Sequence, residues 1–273
     1  MRTIVTYTKE VLDEFQKDNI PILGAAQAYY YLLAIVPMLI LLLSILPYLN
    51  IDPETIIGFI KKVVPGGTAE AFRDNIVNLV EKPKGGLLTI GIIGTLWTAS
   101  SGVNAFIQSS NIAYNVEETR SFIKVRFLSI LLTLGMIIAI VVALTLPIFG
   151  DVIIGFLTSS LGLPGQTVIL FQILRWAIAI LVMSAVLVAL YHIAPNKSLP
   201  FKEILPGAII TAVLWQLISL AFSFYVSNFG NYSATYGSLG GVIILMLWFF
   251  ITGIILMIGA EINVIHHRRK QRM

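Results

Sequence analysis

The sequence contains no cysteine and few charged residues. None of its 273 residues is a cysteine, and only 12% are Asp, Glu, Lys or Arg. The absence of cysteine excludes disulfides, thiolate metal sites and cysteine nucleophiles. An ordinary soluble domain has about 25% charged residues, so this chain has too few to cover a soluble surface. With 57% hydrophobic residues, it is predicted to be a polytopic membrane protein.

Motifs of nucleotide-dependent and hydrolytic enzymes are also missing. The sequence has no Walker A motif, no glycine-rich dinucleotide fingerprint and no GxSxG serine. Its histidines, His192, His266 and His267, have no acidic cluster beside them at metal-ligand spacing. We therefore expect no enzymatic activity, no cofactor and no metal site. The net charge of +4 is attributed to membrane topology rather than to nucleic-acid binding.

Six apolar stretches are long enough to cross a bilayer, which takes roughly 20 helical residues. They cover about residues 21–49, 86–112, 122–149, 167–193, 204–227 and 236–265. The predicted fold class is therefore all-α, with six transmembrane helices in a single membrane domain over residues 1–273. Residues 1–20 predict an interfacial helix, and residues 51–85 predict short amphipathic helices in the first outer loop. Residues 266–273 predict a basic cytoplasmic tail.

Lysine and arginine are unevenly distributed between alternate loops. With the N-terminus inside, twelve of them lie in inner segments, whereas five lie in outer segments, all within residues 51–85. The other outer segments, 150–166 and 228–235, contain none. Basic residues in short loops stay in the cytoplasm, so both termini are predicted to be cytoplasmic.

The second span carries polar residues at steps of three and four. On a helix these residues share one face: Gly94, Trp97, Ser101, Asn104, Gln108 and Asn111. The opposite face is apolar and is expected to meet hydrocarbon: Ile92, Leu96, Ala99, Val103 and Phe106. The polar seam must then turn toward other helices or toward a wet cavity. The pattern by itself leaves both alternatives open.

Further candidate binding residues lie in the fourth and fifth spans. Arg175, with Gln172 on its face, is a cation well inside an apolar run. It fits a site for an anionic head group, or equally a side chain that snorkels to the interface. In the fifth span, Gln216 and Ser219 belong to a second polar seam. That seam either lines a path or provides helix contacts, for which small polar residues are common.

Glu261 is the carboxylate that lies well inside the last apolar run. A buried carboxylate there either titrates and couples transport to protons or pairs with a cation. Arg126, at the inner end of the third span, is the depth-matched partner, and the ion pair is the favoured interpretation.

Several motifs in this order resemble the YihY/BrkB family of bacterial inner-membrane proteins. They are LWTAS at 96–100, NIAYNVEETRSF at 111–122, LPGA at 205–208, YGSLG at 236–240 and GAEIN at 259–263. The resemblance extends over nearly all residues from 25 to 263 and implies a six-span helical protein of the bacterial inner membrane. Members of that family have been proposed as exporters or flippases, some have been linked to serum resistance, and an old label calls them ribonuclease BN. The resemblance implies no established catalytic residues for this chain.

The favoured functional hypothesis is a transporter or flippase for an anionic lipid or amphiphile, with membrane lipids as partners and no nucleic acid. The alternative is a scaffold or assembly factor whose loop at 115–124 and basic tail dock cytoplasmic partners or lipid heads. A tRNA nuclease needs a basic soluble groove, and the polar part of this chain is too small to form one. The sequence leaves the oligomeric state and the substrate open.

Overall fold

The computed structural model describes residues 2–45, 85–137, 165–229 and 239–271, and in this part of the chain it contains seven α-helices. They are α1 (Arg2–Lys17), α2 (Ile20–Ile45), α3 (Gly85–Ala113), α4 (122–137), α5 (Gly165–Ile193), α6 (Phe201–Phe229) and α7 (Gly240–Gln271). No strand occurs in these four ranges. The predicted all-α class is therefore confirmed over the described residues.

Four stretches of these helices are long and apolar enough to cross a membrane. They are Ile20–Pro37, Leu88–Ala113, Phe201–Val226 and Gly240–Gln271, and a shorter apolar helix covers Ile180–Ile193. The multi-pass helical architecture is thus confirmed. The count of six spans and the amphipathic helices predicted for 51–85 stay predictions, because residues 46–84 and 138–164 lie outside the described residues.

Two asparagines end helices at the sharp turns of the chain. Asn19 (φ 50°) separates α1 from α2, and Asn115 (φ 51°) follows α3. Asparagine tolerates this left-handed conformation better than most residues because its short side chain can bond locally. The turn at Asn19 brings the polar helix α1 directly to the start of an apolar span.

Helices α6 and α7 cross at two glycines. A Cβ added at Gly207 would lie 2.4 Å from the Gly259 carbonyl oxygen, and one added at Gly259 would lie 1.9 Å from Thr211 Oγ1. The Gly207 amide also donates to Asn263 Oδ1 at 3.0 Å. Small residues that let backbones approach closely are typical of helix contacts in membranes.

The same helix α7 makes a second close crossing, with α2. A Cβ at Gly253 would lie 2.9 Å from the Gly24 Cα atom. The buried core next to these crossings is formed by α3, α5, α6 and α7, including Phe106, Tyr191 and Met257. Helix α7 therefore approaches both α2 and α6 closely at glycine positions.

The chain divides into two compact units. One contains Met1–Tyr30 and Ser100–Met273, and the other contains Tyr31–Ala99. In the described part of the second unit, Gly94 faces Pro37, whose Cβ atom would be 3.7 Å from an added Cβ.

Helix α7 continues beyond the span predicted for 236–265. It remains helical through His266 to Gln271. The residues predicted as a basic tail therefore form the last turns of a helix.

Candidate functional site

A group of polar contacts gathers where the loops at 114–121 and 194–200 meet α1 and the end of α7. We call this region the loop end. The side chain of Arg120 organises the first loop, since its Nε and Nη2 atoms donate to Glu118 at 2.8 and 2.6 Å. Arg120 also donates to the carbonyls of Ile193 and Ala194, at 3.2 and 2.7 Å. A cation at these otherwise unpaired carbonyls stabilises the C-terminus of α5.

Glu118 is held in its ionised form by this arrangement. The hydrogen bonds from Arg120 outweigh the effect of partial burial and lower the pKa of Glu118 to about 2. Asn111 contributes by donating from Nδ2 to Glu118 Oε2 at 2.9 Å. The loop is thus fixed by a charge-assisted network rather than by apolar packing.

Asn111 and Asn196 join the two loops. Asn111 Oδ1 accepts from the backbone amide of Asn196 at 2.7 Å. Asn196 Nδ2 donates to the Glu117 carbonyl and to Thr119 Oγ1, each at 2.8 Å. Asn111 is buried, and both the nitrogen and the oxygen of its amide take part in holding the loops together.

The basic residues at the end of α7 pair with acidic residues of α1 and α6. Arg268 pairs with Glu14, and Arg269 donates to Glu10 at 2.9 Å. Glu203, at the start of α6, pairs with His267 at 2.5 Å and with Lys270 at 3.0 Å. These contacts place the N-terminal and C-terminal helices at the same end of the protein.

A cavity of about 190 Å³ opens at the loop end. Its lining combines three basic side chains with hydrogen-bonding and apolar groups: Tyr114, Asn115, Lys197, Leu199, Val264, His267 and Arg268. Lys197 is exposed and makes no ion pair within the described ranges. A cavity with an unpaired lysine beside a histidine and an arginine is suited to an anionic group.

Several residues of the second span do not face the way its polar pattern predicted. Val103 and Phe106, expected to face hydrocarbon, are 1% exposed and lie in the core, whereas Trp97 is 54% exposed. Gln108 is also exposed, and Asn104 is half-buried. For these residues the prediction of facing was wrong, whereas Ile92, at 40% exposure, and the buried Asn111 face as predicted. Ser110, beside the predicted seam, shows that a polar side chain here needs no wet cavity, since its hydroxyl donates to the Phe106 carbonyl at 2.7 Å.

Arg126 and Glu261 are not brought together. Arg126 donates from Nη1 to Ser101 Oγ at 3.1 Å. Glu261 instead lies beside Glu14 and Asp18, and neither of its carboxylate oxygens accepts a hydrogen bond from the described residues. The favoured ion pair between Arg126 and Glu261 is therefore replaced by an arginine–serine contact and an acidic cluster.

The remaining candidates have mixed outcomes. Arg175 and Gln172 belong to α5, but their side chains lie outside the described residues, so their roles stay predictions. Gln216 is half-buried and donates to Met183 Sδ at 3.7 Å. Ser219 is half-buried as well.

Sequence reasoning missed two features of the loop end. The pattern of charges gave no indication that Lys197, His267 and Arg268 would share a cavity. It also did not indicate that Asp18 and Glu261 would meet, because they are far apart in the chain. The polar character of α1 was the available signal, since a helix with acids on several sides must place some of them against its neighbour.

Comparisons with known proteins place the chain among bacterial membrane proteins. The family model described as "Virulence factor BrkB" matches residues 11–273. The protein YfkH of Bacillus subtilis (strain 168), whose name calls it ribonuclease-like, is 40% identical over 267 residues, which cover 98% of this chain and 97% of YfkH. The UPF0761 membrane protein VV0203 of Vibrio vulnificus (strain YJ016) is 28% identical and covers 95% of this chain and 82% of its own length. No solved structure matches the chain.

Proposed function

The chain belongs to the BrkB family of bacterial membrane proteins, and from that premise we propose that it transports or flips an anionic lipid or amphiphile whose head group binds in the loop-end cavity. The observation that carries this proposal is the set of basic side chains around the cavity: Lys197, His267 and Arg268. The seam residues of α3 do not carry it, since Gln108 is exposed and the side chains of Ser101 and Asn111 are bonded to other protein groups.

The chemistry of the cavity favours a head group with a phosphate or carboxylate. Lys197 is available as a point charge, while the exposed Asn115 adds an amide side chain. Leu199 and Val264 supply apolar surface beside these polar groups. The volume of about 190 Å³ is room for a head group but not for acyl chains. The chains would then remain in the bilayer.

The loop end faces the cytoplasm of the inner membrane in this proposal. The support is the distribution of basic residues along the sequence, which is biased toward the segments on the same side as the termini. An anionic lipid would accordingly be bound from the inner leaflet.

The first prediction concerns Lys197. Lys197→Glu is expected to weaken binding of anionic lipid by at least about tenfold, since a hydrogen bond to a charged group contributes about 1.5–3 kcal/mol and about 1.4 kcal/mol corresponds to a factor of ten. Binding of the purified protein to short-chain phosphatidylglycerol, with phosphatidylcholine as the neutral reference, measures the effect. Flipping of a fluorescent anionic lipid in proteoliposomes should fall in parallel.

The matched control is Lys202→Glu, which makes the same charge change at an exposed lysine that is not among the cavity's lining residues. Equal loss in both variants would indicate general surface electrostatics and would contradict the assignment of the cavity. Unchanged lipid binding in Lys197→Glu would contradict the head-group site itself. Binding that falls while flipping persists would separate the site from transport.

The scaffold alternative is less well supported by the contacts. Most charged groups at the basic end of α7 and in the loop at 114–121 form ion pairs within the protein, for example with Glu203 and within the Glu118–Arg120 pair. His267 and Arg268 are among these paired groups, so the exposed Lys197 is the charge that favours a small anionic head group over a docked protein.

We also propose that the protein is not a nuclease, despite the name of its Bacillus subtilis relative. The basic groups at the loop end border a small cavity rather than an extended groove of the kind that holds nucleic acid. Cleavage of tRNA by the purified protein would refute this.

A further inference from the structure

Three carboxylates converge where α1 and the following turn meet α7. One carboxylate oxygen from each of Glu14, Asp18 and Glu261 lies within 4.8 Å of the other two. Glu14 and Asp18 are half-buried, whereas Glu261 is completely buried, at 0% exposure. This acidic triad lies outside the set of residues that line the loop-end cavity.

The carboxylate of Glu261 has no hydrogen-bond donor among the described residues. Neither Oε1 nor Oε2 accepts a hydrogen bond from any described residue, and Asp18 Oδ2 is likewise buried without a donor. An ionised carboxylate buried in this way is very costly unless a positive charge or hydrogen-bond donors compensate it. Buried oxygens of Asp18 and Glu261 therefore lie close together without a hydrogen-bond donor.

The side chains around the triad leave one negative charge uncompensated. Glu14 is satisfied, because Lys17 Nζ lies 2.8 Å from its Oε2 atom and Arg268 pairs with its Oε1 atom. Lys17 Nζ is also 3.8 Å from Asp18 Oδ1. Two cations thus face three carboxylates. One monovalent cation would bring the net charge of the site to zero, whereas a divalent ion would leave it positive.

The spacing of the oxygens fits a metal ion of moderate size. Oxygens up to 4.8 Å apart can lie on opposite sides of an ion whose ligand distances are about 2.3–2.6 Å, as for Ca²⁺. Na⁺ has nearly the same radius but half the charge. Mg²⁺ demands shorter distances, near 2.0–2.1 Å, and gives up its water reluctantly. Size and charge together favour a monovalent ion of the sodium class.

We propose that Asp18 and Glu261, with Glu14 as a third ligand, bind one Na⁺-like monovalent cation. The ion would tie the turn between α1 and α2 to α7, next to the left-handed Asn19. The proposal stands independently of the lipid-binding function, because it concerns different residues and needs no lipid. The two are adjacent through Arg268, which pairs with Glu14 and also lines the cavity.

The test uses the purified full chain in detergent and compares NaCl with choline chloride at equal ionic strength. Since a ligand that binds the folded state stabilises it, the unfolding temperature is expected to rise by a few degrees in NaCl relative to choline chloride. The sodium-dependent rise should disappear in Glu261→Gln and in Asp18→Asn. It should persist in Glu117→Gln, an exposed carboxylate of the nearby loop. Isothermal titration of the wild type with NaCl should show saturable binding.

Several outcomes would overturn the proposal. One is an identical unfolding temperature in sodium and choline for the wild type, which can be measured even if a variant fails to fold. Another is a larger rise with CaCl₂ than with NaCl, which would assign a divalent site. A third is a protonated-carboxyl infrared band at neutral pH that is absent from Glu261→Gln, without any sodium effect. That result would show that Asp18 and Glu261 share a proton instead. None of these results depends on lipid binding or flipping, so failure of this site and failure of the proposed function are distinguishable.

Discussion

At the scale of single residues, Gly259 is the glycine of α7 at which the packing leaves the least room for an added side chain. An added Cβ would lie 1.9 Å from Thr211 Oγ1 and 2.2 Å from the Tyr191 hydroxyl. These two hydroxyls bond to each other at 3.0 Å, and Tyr191 also donates to the Leu256 carbonyl at 2.8 Å. One extra methyl group would therefore disturb both the helix crossing and a buried hydrogen-bond network.

Gly259→Ala is expected to destabilise the protein. Alanine is a better helix former than glycine by about 1 kcal/mol, but overpacking of this kind costs roughly 1–3 kcal/mol, and the loss of the Tyr191–Thr211 contact adds to it. The midpoint of thermal unfolding in detergent should fall by several degrees. Gly241→Ala is the control, because a Cβ there meets nothing within 4 Å. It should leave the midpoint unchanged or slightly raised, and equal behaviour of the two variants would contradict the crossing.

The sequence does not determine whether an individual side chain of a span points toward lipid or toward the protein core. In a span where nearly every residue is apolar, the hydrophobic pattern does not distinguish lipid from protein core, because both are apolar environments. Phe106 was therefore assigned to lipid although it is 1% exposed. The meeting of Asp18 with Glu261 depends on how α1 folds back on α7, which no local pattern encodes.

At the scale of elements, helix positions were predictable because length and apolar composition determine them. The second span, predicted for 86–112, is Gly85–Ala113, and the N-terminal helix, predicted within 1–20, is Arg2–Lys17. The last helix differs most, since it begins at Gly240 and runs to Gln271. Its final turns are helical because Glu10, Glu14 and Glu203 pair with the basic residues that a sequence pattern assigns to a free tail.

The connection between α3 and α4 should make stability depend on pH. The pKa of Glu118 is lowered from its ordinary value of 4.5 to about 2, chiefly by hydrogen bonds from Arg120. A carboxyl with a lowered folded-state pKa contributes stability that is present above its unfolded-state pKa and lost as the pH falls through its folded-state pKa. Glu118 should therefore stabilise the protein above about pH 4.5 and lose that contribution progressively toward pH 2.

Glu118→Gln is expected to flatten the acid side of the stability profile. Unfolding midpoints in detergent between pH 6 and the lowest pH at which the protein stays soluble would measure it. Glu117→Gln serves as the comparison, since Glu117 is exposed and its side chain makes no contact among the described residues. If both variants retain the wild-type acid dependence, the Glu118–Arg120 contact has no role in it.

At the scale of the whole molecule, the loop end joins both termini to the proposed head-group cavity. Arg268 and Arg269 of α7 pair with Glu14 and Glu10 of α1, so the first and last helices end on the same face. This arrangement requires an even number of spans after α1, with α7 included. The side of the membrane that this face meets then decides which leaflet can deliver a lipid to Lys197.

The distribution of lysine and arginine predicts that this face is cytoplasmic, and the absence of cysteine makes the prediction easy to test. Any cysteine introduced singly is the sole target for a membrane-impermeant maleimide. In intact spheroplasts, Lys62→Cys, in the predicted outer segment, should be labelled. Lys9→Cys and Gln271→Cys, exposed residues of α1 and α7, should be labelled only after permeabilisation. The reverse labelling pattern would place the cavity at the outer leaflet, so that an anionic lipid would have to enter from outside. Labelling of Lys9→Cys and Gln271→Cys from opposite sides of the membrane would contradict an even number of spans.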